Sequence, residues 1–370
     1  MNLIQIISDT APSGALRYAL DLGHALEQRG HSVATILRKG HPELEPPFRR
    51  AALAVGYLPL RGALDFISPT ILSRILDRVE QPVVIHTHSL SDALTALRAR
   101  NLMKSDGSGV KIVHSVRSAV PPKTSRVERN TLRRLDDIIF PSEASRRAYL
   151  SVLPDDLLKG VRIHTLPPCS DVPACTARPE RANDAVTNFV YVGSLVPEKG
   201  FDLLVEAIGI VEARRPGRAR YTILGSGNSR AVMPAVRRSR ALGVDHKIEW
   251  KGHVDDIYPY LCEADAGIVP SRAPEASALT PVEFMSQGLP VIATREGGAL
   301  ESFVRHGEDG LLVSPDSAAE LADAMLKIID SPSLGREMGD AGRRRVSAQA
   351  SYPAFVDAIL EIYGAPRQNP

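Results

Sequence analysis

A chain of 370 residues, 44% of them hydrophobic and 24% charged, is globular and long enough for two domains. Its 45 Lys and Arg against 43 Asp and Glu leave a formal net charge of +2, which argues against a dedicated nucleic-acid binder, since such proteins carry a basic excess to neutralise phosphates. Cys169, Cys175 and Cys262 lack metal-ligand spacing, and an odd count cannot close a disulfide framework, so a reducing cytoplasm is expected.

The opening "MNLIQIISDT" has neither the basic start nor the long apolar core of a signal peptide, and no run approaches the roughly 20 apolar residues of a membrane span. A soluble protein is expected, one that can still touch a membrane surface. In chain order, the short β-branched runs "LIQII", "VATIL", "VVIH", "VKIVHSV", "DIIF" and "VRIHTL" alternate with longer segments of helical period. After a break the pattern resumes with "NFVYVG", "RYTILG", "KIEW", "AGIVP", "PVIAT" and "GLLVS". Strands this apolar are buried on both faces, as in parallel sheets covered by helices, so the chain reads as α/β twice over. The break, "LPPCSDVPACTARPERANDAV", is rich in proline and polar residues and follows neither period. The predicted domains are therefore 1–168 and 188–350 with a linker at 169–187. A last helix in 351–370, about "YPAFVDAILEIYG", can pack on either domain.

Ligands of open parallel sheets bind beyond the carboxyl ends of the strands, which directs attention to the loops that follow them. Gly14 sits at the turn after the first strand, in "SDTAPSGALRYALDL". Gly193 and Lys199 lie in "VGSLVPEKGF", Gly225 lies in "LGSGNS", and "REGGALES" follows "PVIAT". Glycine lets a ligand approach the backbone, a lysine adds charge, and each loop opens a helix with exposed amide donors. Such loops suit a diphosphate-bearing ligand, although a single glycine between strand and helix is most often only a turn. "GSG" lacks the full GxGxxG spacing and no GxxxxGK[ST] occurs, so dinucleotide and P-loop readings are weak. In "PEASALTPVEF", Thr280, Pro281 and Glu283 have the form of a capping box, which accounts for Glu283 structurally. Nothing local calls for a carboxylate at Glu275. His86 and His88 share one strand face, with His88 at the start of the loop. No Asp-x-Asp pair occurs, and no metal site is expected.

Taken together, "VGSLVPEKGFDLLVEA", "ILGSGN", "KGHVDDIYPYLCEADAGIVPS" and "PEASALTPVEFMSQGLPVIATREGGALESFVRHGEDGLLV" resemble the C-terminal domain of retaining glycosyltransferases of the GT4 type, also called glycosyl transferases group 1. Looser matches are "APSGALRYALDLGHALEQRGHSV", "VVIHTHS" and "IIFPSEASRRAYL". The resemblance implies the GT-B fold, two Rossmann-like domains facing a cleft, with the acceptor side in the first domain and the nucleotide sugar in the second. The C-terminal helix is then free to cross back to the first domain. It implies that Glu275 faces hydroxyls of the donor sugar and Glu283 the ribose. Lys199 and the helix-start amides of Ala278, Leu279 and Thr280 hold the diphosphate with Gly14, Gly193 and Gly225, and backbone near Gly252 and His253 recognises the base. Ser194 stands where the family often has arginine, and Glu275-Ala276-Ser277-Ala278 replaces a glycine-rich Glu-Gly-Phe-Gly. The family's histidine on the acceptor side aligns with Arg117, with His114 three residues earlier; both remain candidates, as does His88.

The function so implied is metal-independent, retaining transfer from a nucleotide-diphosphate sugar to a glycan or glycolipid, in bacterial surface polysaccharide or lipopolysaccharide synthesis, with no cofactor. The alternatives are a sugar-nucleotide epimerase or phosphorylase, or a catalytically weak nucleotide- or glycan-binding protein on the same fold. Finally, "VRSAVPPKTSRVERNTLRRLDD" crowds Arg117, Lys123, Arg126, Arg129, Arg133 and Arg134, with Arg126, Arg129 and Arg133 at helical spacing. Besides a plain solvated face, this predicts peripheral attachment to the anionic inner face of the membrane or recognition of an acidic acceptor.

Overall fold

A computed structural model describes residues 1–11, 13–118, 121, 125–167, 169, 186–349 and 352–365. The chain divides into two compact units, Met1–Pro167 with Tyr352–Pro370, and Pro168–Ser351. Of the predicted linker, all but Cys169, Val186 and Thr187 lies outside the described residues.

The first unit is built on β1 (Asn2–Ile7), β2 (Ser32–Arg38), β3 (Ala54–Leu58), β4 (Val83–Thr87), β5 (Val110–Ser115), β6 (Asp137–Phe140) and β7 (Arg162–Thr165). All pair in parallel, in the order β3-β2-β1-β4-β5-β6-β7. Its helices are α1 (Gly14–Gln28), α2 (Pro46–Arg50), α3 (Ile67–Leu76), α4 (Leu90–Leu102), α5 (Arg126–Leu132) and α6 (Glu143–Leu150). In the second unit β8 (Thr187–Val192), β9 (Ala219–Leu224), β10 (Ile248–Gly252), β11 (Ala266–Val269), β12 (Val291–Thr294) and β13 (Gly310–Val313) form the parallel sheet β10-β9-β8-β11-β12-β13. Its helices are α7 (Phe201–Arg214), α8 (Ser229–Ala241), α9 (Tyr258–Glu263), α10 (Leu279–Ser286), α11 (Ala299–Phe303), α12 (Ala318–Asp330) and α13 (Pro332–Gln349), and α14 (Tyr352–Gly364) belongs with the first unit.

Each predicted apolar run is a strand, and β3 is an addition. It is a half-exposed edge strand carrying Gly56, which leaves too weak an apolar signal to read. Parallel pairing with helices on both faces explains the continuous apolar runs. In the second unit Phe201, Leu204 and Ile208 of α7 and Leu321 and Met325 of α12 pack on one sheet face. Val282, Phe284 and Met285 of α10 and Leu300 of α11 fill another cluster with Val190, Val269 and Val291. In both sheets the strand order reverses between the first strand and its later neighbour, at β1/β4 and at β8/β11. At such a switch point the following loops part and leave a crevice.

Two readings need correction. Helix α10 starts at Leu279 with Ala278 at its N-cap and has no side-chain cap bond, so the Thr280–Glu283 capping box does not form. Pro281 is tolerated because the first amides of a helix have no intrahelical acceptor. Cys262 is disulfide-bonded: an odd count rules out a complete framework but leaves room for one bridge. Cys169 is buried. Among the described residues no helix is long and apolar enough to cross a membrane.

Candidate active site

The second unit builds its site from backbone upward. Beyond β8, Gly193 N donates to Leu224 O (3.0 Å) and Leu195 N to Ser226 O (2.9 Å), while Gly225 N donates to Gly252 O (2.8 Å). The loops after β8, β9 and β10 thus continue the sheet as a stacked ledge. A Cβ at Gly225, whose φ is +156°, would fall 1.8 Å from Gly193 O, and one at Gly227 2.3 Å from Leu195 O, so this close approach requires glycine. At Gly200, φ +66°, a Cβ would stand 1.9 Å from Pro270 O. That contact sets the Lys199 turn against the end of β11. Arg272 fastens it further: its amide donates to Glu198 O (2.8 Å), and its guanidinium donates to Pro197 O (3.0 Å) and Asp202 (2.5 Å).

On this base Lys199 Nζ donates to both oxygens of Glu275, at 2.6 and 2.7 Å, and Ser271 Oγ donates to Glu275 Oε1 at 2.5 Å. The Lys199 side chain is 37% exposed and that of Glu275 16%, so the pair is open to a ligand. The loop after β12 grips Glu275 from the other side. Glu275 N donates to Glu296 Oε1 (3.2 Å), and Ala299 N donates to Glu275 O (3.0 Å). Gly298 passes so close that a Cβ would lie 2.8 Å from Glu275 O. Buried Glu296 also accepts from Leu300 N at 3.0 Å. Ser271, Arg272, Glu296 and Gly298 were not singled out from the sequence; the "REGG" of "REGGALES" was the available signal for the last pair.

The other expected residues fall as follows. Ser194 is exposed, and its carbonyl accepts from Tyr191 Oη at 2.9 Å. His253 is exposed, 3.7 Å from Asp255. Ala278 is buried, Leu279 and Thr280 are half-buried in the first turn of α10, and Glu283 is buried in its second turn. Gly14 opens α1 in the first unit, with no atom within 4 Å of where a Cβ would be. Among the described residues no group of three or more His, Cys, Asp or Glu side chains is placed to hold a metal.

The first unit holds a buried polar cluster at the ends of β4 and β5. His86 Nδ1 lies 2.6 Å from Tyr363 Oη of α14, and its Nε2 lies 2.7 Å from Ser115 Oγ. His88 lies against His86 with ring centroids 4.6 Å apart and the planes tilted by 35°, and neither of its ring nitrogens has a partner among the described residues. The Arg117 guanidinium sits 3.4 Å over the Tyr18 ring. Burial, then the neighbouring His86, then the Arg117 charge push His88 well below the ordinary histidine range, so its imidazole is neutral. His114 lies inside β5, 3.2 Å from Thr87 Oγ1, and burial with a smaller contribution from Arg117 lowers it to about 4, against a hydrogen bond with the Thr87 backbone. Arg117 stands beyond the strand end and His114 within it, which separates the two aligned candidates.

Two Rossmann-like halves of this kind are those of GT-B glycosyltransferases. The chain belongs to the GT4 and group 1 glycosyltransferases: the model described as Glycosyltransferase Family 4 matches residues 12–172 and that described as Glycosyl transferases group 1 matches 186–331. It is 33% identical over 171 residues to the lipopolysaccharide core biosynthesis glycosyltransferase LpsE of Rhizobium meliloti (strain 1021), a match spanning 46% of this chain and 48% of that protein. It is 29% identical over 342 residues to the GDP-mannose-dependent alpha-(1-6)-phosphatidylinositol monomannoside mannosyltransferase of Mycobacterium tuberculosis, covering 85% of each chain. The crystal structure of Anabaena Alr3699/HepE in complex with UDP and glucose superposes with a TM-score of 0.82 over 99% of this chain and 100% of that one, at 16% identity.

Proposed function

We propose that the protein is a retaining glycosyltransferase that moves a sugar from a nucleotide-diphosphate sugar to a glycan or glycolipid, in lipopolysaccharide or related surface-glycan synthesis. The observation that carries this reading is the Lys199–Glu275–Ser271 cluster on the glycine ledge at the β8/β11 switch point. An ammonium has three protons, and two point at Glu275, which leaves one for a phosphate oxygen. The Glu275 carboxylate accepts from paired hydroxyls of the donor sugar, Glu283 from the ribose, and backbone at Gly252 and His253 meets the base. Within the second unit, Gly193, Ser194, Gly225 and the amides of Ala278, Leu279 and Thr280 surround the diphosphate.

In the proposed step the bond from the anomeric carbon to the diphosphate breaks and the acceptor oxygen bonds the same face. The departing phosphate oxygen takes the acceptor proton. Charge grows on that oxygen, so Lys199 and preorganised amides supply the stabilisation without a metal, and activity is expected to survive EDTA. To the first unit we assign the acceptor side: neutral His88 can accept at one nitrogen and donate at the other, which suits a hydroxyl, and Arg117 supplies a fixed charge. We place the work at the cytoplasmic face of an anionic membrane, with exposed Arg126 and Arg129 of α5 and Arg133 at its C-cap attracting it; Lys123 lies outside the described residues.

Glu275→Gln keeps the shape and removes the charge. Turnover is expected to fall about 100-fold, with nucleoside-diphosphate affinity changed by less than about threefold, because the lost partner is the sugar. Steady-state kinetics beside calorimetric titration of the diphosphate check this. An affinity that falls in step with turnover would move Glu275 from the sugar to the phosphates.

A further inference from the structure

Helix α3 is apolar on the side the fold does not need. Its inward face, Ser68, Leu72 and Leu76, is buried and joins the core of the first unit. Its outward face repeats Ile67, Ile71 and Ile75 at intervals of four residues, 54%, 38% and 37% exposed. The turn before it adds Leu64 and Phe66, 84% and 69% exposed. β-Branched residues gain nothing from a solvated helix, and a helix apolar all round is ordinarily covered. Side chains this exposed project from the surface, which suits a deformable apolar medium better than a shaped pocket.

The rim of this surface is cationic. Arg61, Arg74 and Arg78 are exposed and have no ion pair among the described residues, and Arg98 lies 5.3 Å from the Phe66 ring centre. Of the nearby carboxylates, Asp65 is buried, accepting from Ile67 N and Ser68 N, and Asp77 is exposed and accepts from Lys104 N, so the three arginines outnumber the one exposed acid among them. Apolar side chains inside an arginine rim are the make-up of a helix lying in a bilayer interface, with the long basic stems reaching lipid phosphates. The surface also shares its side of the unit with the basic face already described. Leu72 of α3, Leu97 of α4 and Leu132 of α5 fill one core cluster, and Arg134 reaches Asn101 at the end of α4 (2.9 Å), so α3, α4 and α5 cover the same sheet face.

We propose that the outward face of α3 and the turn before it form a membrane-docking surface, in which Phe66, Ile67 and Ile71 enter the headgroup boundary of an anionic bilayer while Arg61, Arg74 and Arg78 meet lipid phosphates. The proposal rests on the reading that the enzyme works at a membrane, and it adds a contact that salt does not screen. Attraction through Arg126, Arg129 and Arg133 alone would vanish at high salt, whereas apolar burial persists.

The test is flotation with vesicles of phosphatidylglycerol and phosphatidylcholine, and of phosphatidylcholine alone, at low and high salt. The parent is expected to bind the anionic vesicles and to keep part of that binding at high salt. Phe66→Ser with Ile71→Ser should lower binding at least about tenfold in both salts, with donor hydrolysis unchanged; Arg126→Gln with Arg129→Gln and Arg133→Gln should remove only the salt-sensitive part. Should the double variant not fold, Ile71→Cys carrying a polarity-sensitive dye replaces it, and a blue shift on anionic vesicles is expected. Equal binding by parent and double variant, an unshifted dye, or a parent that ignores vesicles overturns the proposal. So does sedimentation of the parent as a dimer that the double variant dissociates, since the face would then belong to a second copy. Sugar transfer by a parent that ignores vesicles would sink this proposal alone; vesicle binding without any transfer would sink the enzymatic reading and leave the docking surface standing.

Discussion

Lys199→Ala is expected to lower turnover about 100-fold, the usual scale for losing one donor aimed at transition-state charge. The Lys199 turn is fixed by the approach of Gly200 to Pro270 and by Arg272, so the ammonium is held in place before any substrate arrives. Its partner Glu275 orients it through two bonds and leaves the third proton free. Because the Lys199 side chain is 37% exposed, its pair contributes no more than about 1 kcal/mol to folding, and the melting temperature should scarcely move. Lys199→Arg should recover only part of the rate, since a planar fork does not reproduce a compact ammonium. Full activity in Lys199→Ala would remove Lys199 from the leaving group.

Asp137→Asn should destabilise the first unit by about 3–5 kcal/mol, the range for breaking a buried ion pair from one side. The Asp137 side chain is fully buried and accepts from Arg162 Nε and Nη2, both at 2.7 Å, and lies 2.7 Å from His164 Nε2 and 3.2 Å from Lys111 Nζ. Lys111 in turn donates to Ile362 O and to Ala365 O (2.8 Å) at the end of α14, so the carboxylate ties β5, β6 and β7 to the C-terminal helix. Asparagine would leave Lys111 in the interior without its countercharge. Burial pushes the Asp137 carboxyl up, but the bonds from Arg162 and His164 and the charge of Lys111 outweigh it and hold it at about 2. Its folded value lies below the ordinary 3.8, so its contribution is complete above that value and is lost as pH falls through about 2. Denaturant titrations between neutral and acid pH should show that acid limb shrink in the variant; an unchanged profile would mean the network adds nothing.

Much of this architecture was legible because it is written in local pattern. Runs such as "VVIH" and "PVIAT" are apolar throughout because both sheet faces are covered, and each became a strand. The edge strand Ala54–Leu58 escaped notice because only one side of it is packed. Glu275 and Lys199 could be singled out since neither had a local structural reason, yet nothing in the sequence joins them, for they lie 76 residues apart and meet only through β8–β11 pairing. The grip of Glu296 and Gly298 on Glu275, and that of Tyr363 on His86 across 277 residues, are equally matters of tertiary contact. The capping box failed for a related reason: Thr280 had the right neighbours, but packing of Val282 and Phe284 fixes α10 from Leu279 on.

The most direct test follows a panel of UDP-, GDP-, ADP- and CDP-sugars by proton NMR during incubation with the enzyme, with and without acceptor glycans. The account predicts that one donor releases its nucleoside diphosphate and that the first-formed product keeps the donor's anomeric configuration. Release from none of these donors, or a product of inverted configuration, would contradict it.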